Sequence, residues 1–223
     1  MRKRTIIVIG VLLIVGIGVT IFRVFFMRGV RVPTAGMANT IIPGDTVLVT
    51  KSFGQIERGE IVIFQYSGEY APERDRYHDD TIYYIKRVVG LPGETIQITG
   101  RTVYINGQPL QEQKVIATEI DHYEPLQEIS TEGSGPYRVF YSQRSNEDES
   151  TFVNEVPFAG EKPFQIPKDF YFVMGDNRDN SEDSRYRGPV PRNLIWGKAT
   201  MIFYSETMNT KEFRWDRMFK KVH

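Results

Sequence analysis

Two stretches hold the side chains that could do chemistry. The first reads Ile82-Tyr83-Tyr84-Ile85-Lys86-Arg87-Val88-Val89-Gly90-Leu91-Pro92-Gly93-Glu94, a lysine inside a run of β-branched and aromatic residues that ends where Gly90 to Gly93 break the strand. Successive side chains of a strand face opposite ways, so Lys86 and Arg87 point to opposite faces and one of them faces the interior. Burying an ammonium is costly, and a lysine on that inner face gives up its proton to become a base near neutral pH. The plainer alternative is a lysine snorkelling at a sheet edge with its head in water. The second stretch, Gly175-Asp176-Asn177-Arg178-Asp179-Asn180-Ser181-Glu182-Asp183-Ser184-Arg185, follows a strand ending at Met174. Composition alone makes it a polar loop whose Asx side chains cap their own backbone. A calcium loop fails in detail, because the central glycine and terminal glutamate of an EF-hand are missing.

Composition narrows the chemistry further. The chain of 223 residues has 28 Lys plus Arg against 28 Asp plus Glu, so no global field points to nucleic acid. With no cysteine, disulfides and thiolate metal sites are excluded, and the redox compartment is left open. His78, His122 and His223 lie far apart without a His-Glu-x-x-His pattern, which argues against a metal site and against a Ser/His/Asp triad.

The elements that must position these residues are mostly strands. Thr46 to Thr50, Glu60 to Tyr66, Thr95 to Ile98, Phe170 to Met174 and Lys198 to Tyr204 are rich in Val, Ile, Phe, Tyr and Thr. Asn106-Gly107 suits a two-residue hairpin turn, and Pro43-Gly44 a type II turn leading into the strand after Asp45. No βαβ rhythm appears, so the body is expected to be mainly β. Ahead of it, Arg2, Lys3 and Arg4 precede an uncharged stretch from Thr5 to Phe22, about 27 Å long as a helix and nearly enough to cross a bilayer. No small-x-small cleavage site follows Phe22, so residues 1–28 are expected to form an uncleaved membrane anchor. Its orientation is nearly balanced by Arg23, Arg28 and Arg31 on the far side. Residues 111–167 have a different texture and read as an insertion with a mobile tip near Asn146 to Glu149, set between 29–110 and 168–223. The basic, aromatic tail from Lys211 to His223 is assigned no chemistry.

The stretch from Gly175 to Arg185 resembles, almost letter for letter, the last signature block of type I signal peptidases, the bacterial leader peptidases that use a serine/lysine dyad. Lys86 to Glu94 resembles the family's lysine block, with Glu94 where aspartate is commoner. Pro33-Thr34-Ala35-Gly36-Met37-Ala38-Asn39-Thr40, followed by Gly44-Asp45, resembles its nucleophile block. The resemblance implies antiparallel β domains behind one N-terminal transmembrane helix, with an apolar surface that dips into the bilayer. It implies removal of signal peptides from secreted pre-proteins on the outer face of a bacterial cytoplasmic membrane, with no cofactor and no metal. Carried over by position, Lys86 is the general base and Ser181 orients its amine. Asp183 and Arg185 brace the site, Arg87 joins their charge network, and Thr34 helps stabilise the oxyanion. Met37 lies at the substrate-binding side, where small pockets would select Ala-x-Ala-like ends.

One departure dominates. The family's nucleophilic serine stands immediately before the methionine, and here that position is Gly36. Loss of such a nucleophile leaves about 10³ to 10⁴ of rate enhancement, from the oxyanion hole and binding alone. Three readings follow: a signal peptidase carrying a serine-to-glycine change, a noncatalytic homologue that binds exported polypeptides without cleaving them, or a membrane-anchored β-rich binding module.

Overall fold

The computed structural model describes residues 8–11, 13, 15, 16, 18, 27–51, 54–66, 83–118, 124–143, 156–160 and 162–222. In chain order its strands are β1 (Met27–Arg31), β2 (Asp45–Lys51), β3 (Ile61–Phe64), β4 (Tyr84–Gly90), β5 (Thr95–Thr99), β6 (Thr102–Ile105) and β7 (Gln108–Pro109). There follow β8 (Gln113–Thr118), β9 (Gln127–Glu132), β10 (Arg138–Ser142), β11 (Phe164–Gln165), β12 (Phe170–Met174), β13 (Val190–Pro191) and β14 (Ile195–Ser205). The expected strands are all present within a residue or a few at their ends, and the described body is mainly β.

These strands form three sheets. A large one runs β1-β2-β14-β3-β4-β12-β13 with every neighbour antiparallel, and a second runs β11-β5-β6-β7, also antiparallel. The third, β10-β8-β9, departs from the antiparallel expectation, because β10 lies parallel to β8. Most of the chain between those two strands is a return path through β9 and the turn after it, which lets β10 re-enter in the same direction as β8.

Turn chemistry fixes the connections. Asn106 and Gly107 take φ of 51° and 77°, the pair of positive angles that a tight hairpin turn needs between β6 and β7. At Pro43-Gly44 the Asp45 N–H closes onto the Ile42 carbonyl at 3.1 Å and Gly44 takes φ 91°. A side chain at Gly44 would also collide with the Glu206 carbonyl.

β3 and β4 run through the middle of the large sheet with apolar cores on both faces, which is why β3 reads as an unbroken apolar run rather than as alternation. One core gathers Ile61, Ile63 and Ile85 with Val47, Val49 and Ile41; the other gathers Val62, Phe64 and Val88 with Val173 and Val190. A third core seats Phe172 and Val89 against Ile96 and Val103 of the neighbouring sheet and against Ile166, just after β11. Gly90 is a contact point there, since any side chain on it would collide with Ile166.

The expected anchor falls largely outside the described residues. Residues 8–11, 13, 15, 16 and 18 are helical, and among the described residues no helix is long and apolar enough to cross a membrane. His78, His122, His223 and the tip at 146–149 also lie outside them.

Phe172 is fully buried where the large sheet meets the β5–β6 sheet. Replacing it with alanine is expected to cost about 3–5 kcal/mol of stability. Urea unfolding of the two proteins in the same detergent checks this, with exposed Phe213→Ala as the control that should change little.

Candidate active site

Three segments converge on one point: the turn at 34–41, the middle of β4, and the polar stretch after β12. A Cβ placed on Gly36 would lie 3.1 Å from Lys86 Nζ, 3.5 Å from the Asn180 carbonyl oxygen and 3.6 Å from Ser181 Oγ. Backbone contacts hold the segments together. The Asn177 N–H donates to the Gly36 carbonyl at 3.2 Å, and Asn177 Nδ2 donates to the Ala35 carbonyl at 3.2 Å. Gly175 makes this approach possible, because a side chain on it would collide with both Ser181 Oγ and the Gly36 carbonyl.

Lys86 is only 7% exposed, and Arg87 beside it is fully buried. Sequence reasoning expected one of the two to face the interior; the structure buries both, because β4 has packed layers on each side. Burial pushes the Lys86 amine below the usual lysine range; the Asp183 carboxylate pulls it back up, and the Arg185 guanidinium pushes it down again. Asp183 is held by a two-pronged pair, Arg185 Nε to Oδ1 at 2.8 Å and Nη2 to Oδ2 at 2.9 Å, and accepts from the Gly175 N–H at 2.9 Å. Burial alone would raise this carboxyl, but Arg185 and the Gly175 N–H outweigh it and hold it below its ordinary range. Asp183 also caps the helical turn Ser184–Arg187 by accepting from the Arg185 N–H. The hydroxyl of Ser184 accepts from the Val173 N–H at 3.0 Å and ties that turn to β12.

Ser181 Oγ is buried and has no hydrogen-bond partner among the described residues. Thr34 is exposed at the edge of the site, and neither its hydroxyl nor the Gly36 N–H has a partner among the described residues. Arg87 enters the charge cluster through Asp176, with Nε to Oδ1 at 2.7 Å and Nη2 to Oδ2 at 2.6 Å, and Thr40 Oγ1 donates to the same carboxylate at 2.6 Å. Met37 was expected at the substrate side; its side chain is 2% exposed and packs in the core with Ile41 and Ile61.

Several positioning groups escaped sequence reasoning. Arg178 makes a buried two-pronged pair with Glu112, which also accepts from Tyr137 OH at 3.1 Å and ties the polar stretch to the segment before β8. Asn39 exchanges two hydrogen bonds with the Leu126 backbone at 2.9 and 2.6 Å. In the tail, Arg217 grips Asp45 at 2.7 and 3.2 Å and reaches the Thr40 carbonyl at 3.2 Å. Gly44-Asp45 was a visible signal for the last of these; nothing in the tail's own text pointed to its partner. Beside the site a cavity of about 430 Å³ is lined by Ala117, Leu126, Tyr141, Asn177 and Asn180 among others.

The chain matches the family described as "Signal peptidase, peptidase S26" over residues 2–204. A protein named Signal peptidase I from Leptolyngbya laminosa is 29% identical over 199 residues, covering 88% of this chain and 76% of that protein. One of the same name from Pseudomonas aeruginosa is 31% identical over 216 residues, covering 84% and 68%. Another, from Aquifex aeolicus, is 29% identical over 240 residues, covering 92% and 85%. A solved structure of a signal peptidase I from Enterococcus faecalis V583 is 25% identical, covering 67% of this chain and 100% of that one, with a TM-score of 0.38.

Between its lowered pKa and the ordinary value of 10.5, Lys86 is deprotonated in the folded chain and protonated in the unfolded one. The unfolded state therefore binds more protons, and stability rises with pH across that window. Lys86→Met, similar in shape and uncharged, is expected to stabilise the fold at neutral pH by about 1–4 kcal/mol and to flatten that rise. Urea unfolding at a series of pH values measures both.

Proposed function

The chain belongs to the signal peptidase family, peptidase S26, and from that premise we propose that its site is built to cleave signal peptides from secreted pre-proteins by a hydroxyl/lysine mechanism. One observation carries the proposal. Lys86 Nζ lies 3.1 Å from the Cβ position of residue 36, within reach of any hydroxyl that a serine there would carry. In this reading the neutral Lys86 amine takes the proton from the attacking hydroxyl, and Ser181 Oγ orients the amine. Asp183 and Arg185 pair with each other behind it, so that the guanidinium offsets the carboxylate's pull on the lysine's proton. Thr34 Oγ1 and the Gly36 N–H donate to the oxyanion, and the cavity beside Asn177 and Asn180 receives a substrate side chain. Arg87 steadies the polar stretch through Asp176.

Residues 29–110 and 168–223 are the catalytic part of this reading and 111–167 the inserted part. Residues 1–28 anchor the chain in a bacterial cytoplasmic membrane, with the body on the outer side. Gly36 favours a second reading for the chain as it stands: it holds the signal peptide of a pre-protein and turns it over slowly or not at all.

Gly36→Ser is expected to cleave a pre-protein in detergent at least about 10³-fold faster than the parent chain. Gel or mass-spectrometric time courses decide it: no cleavage by Gly36→Ser, under conditions where another signal peptidase works, sinks the hydrolytic reading. Equal rates for the two proteins would show that the oxygen at residue 36 does not matter.

The pH profile follows from the direction of the Lys86 shift. A protonated amine cannot accept the hydroxyl's proton, so kcat/KM of Gly36→Ser should rise with pH through the depressed Lys86 pKa and level off above it. A profile with no rise anywhere across the pH range in which the protein stays folded removes Lys86 from the role of base.

A further inference from the structure

A second cavity, of about 530 Å³, opens where the start of β3, the middle of β14, the turn before β10 and the end of the tail meet. It shares no lining residue with the cavity beside Asn177 and Asn180, and none of the residues set around position 36 lines it. Its size is that of a small-molecule site, and so is its make-up: apolar walls from Ile61, Tyr137, Ala199 and Val222, with a few charged groups among them. The walls are fixed in place. Tyr137 is buried, donates to Glu112 at 3.1 Å and carries the Arg87 guanidinium 4.2 Å from its ring centre. The Gly59 carbonyl accepts from Arg87 at 2.6 Å. A ligand entering walls held this way meets little ordering cost.

The charges of the lining select the ligand. Three cations, Arg58, Lys198 and Lys221, stand there against one carboxylate, Glu60. Lys198 Nζ sits 2.7 and 2.6 Å from the two Glu60 oxygens, one of which also accepts from the Glu57 N–H at 2.8 Å. Arg58 donates to Glu94 and to the Val89 carbonyl, each at 2.5 Å. Lys221 is exposed and has no ion-pair partner among the described residues. A cationic ligand would therefore find the one carboxylate engaged, whereas an anion finds an ammonium without a counter-ion.

We propose that this cavity binds a small organic monocarboxylate, its apolar body against Ile61, Tyr137 and Val222 and its carboxylate paired with Lys221. The apolar walls supply most of the affinity and the lysine the choice of charge. The inference is independent of the hydrolytic reading of the site at Gly36, since neither Lys86 nor Ser181 takes part in it.

The experiment titrates the full-length chain in detergent with 4-phenylbutanoate and follows the ¹³C-labelled isoleucine methyl signals. Ile61, assigned with Ile61→Val, reports the cavity; Ile96, buried in a different core and assigned with Ile96→Val, is the control. The Ile61 signal is expected to shift saturably while Ile96 stays in place. The matched alcohol, 4-phenylbutan-1-ol, should bind about fivefold more weakly than the carboxylate, and 4-phenylbutylammonium more weakly still. Lys221→Gln, a change on an exposed side chain, should lower the affinity for 4-phenylbutanoate by about fivefold and leave that for the alcohol unchanged. No saturable shift of Ile61, or an equal shift of Ile96, overturns the inference. So does an ammonium that binds as tightly as the carboxylate, or a carboxylate affinity that Lys221→Gln leaves untouched. Phosphatidylglycerol in nanodiscs is the last arm: if it moves Ile61 and 4-phenylbutanoate does not, the cavity takes a lipid headgroup and the small carboxylate is ruled out.

Discussion

The structure depends on holding one primary amine where burial disfavours its charged form. Lys86 sits in the middle of a sheet strand with apolar layers on both sides. Asp183 is the carboxylate that pulls hardest toward the charged form, and it is tied into a two-pronged pair with Arg185. The guanidinium cancels much of the carboxylate's field at the amine, and burial decides the direction of the shift. Without Arg185 the pull of Asp183 toward the charged form would meet less opposition, and the Lys86 pKa would move back up.

That electrostatic arrangement has a geometric counterpart. Three buried arginine–carboxylate pairs, Arg87 with Asp176, Arg178 with Glu112 and Arg185 with Asp183, draw their members from β4, from the segment before β8 and from the polar stretch itself. Buried pairs are weak contributors to stability, but breaking one leaves an uncompensated charge, so each enforces a single arrangement of the segments it joins. Here they lock a loop that composition alone would leave mobile. The asparagine and arginine side chains that look redundant in the sequence are distributed among separate tasks: Asn177 holds the turn at residue 36, Arg178 reaches the segment before β8, and Asn180 lends its carbonyl to the site.

Much of this was legible in the sequence. Strand positions followed from β-branched and aromatic runs, and the turns at Pro43-Gly44 and Asn106-Gly107 followed from the angles glycine permits. Lys86, Ser181 and the residue-36 position, singled out by resemblance, do meet within 3.6 Å of one point. What was not legible depends on distant parts of the chain. Met37 was placed at the substrate-binding side by resemblance, and only the closed core shows that its side chain packs inward. The parallel return of β10 along β8 leaves no local trace, since strand periodicity is the same in either direction. The clasp of Arg217 on Asp45, 172 positions apart, has no signature in either segment.

The same long-range clasps hold the turn around residue 36 without help from a side chain there. The turn around residue 36 is fixed through its backbone: the Gly36 carbonyl accepts from Asn177, the Ala35 carbonyl accepts from the Asn177 side chain, and the Thr40 carbonyl accepts from Arg217. Asn39 adds a fourth tie, to Leu126. None of these needs a side chain at position 36, so the loop stays held with glycine there. The cost of the site remains: a buried amine, and a buried hydroxyl on Ser181 whose missing partner is worth about 1–3 kcal/mol. A fold that bears both sets an amine, a carbonyl and a hydroxyl around the one position of the turn that has no side chain.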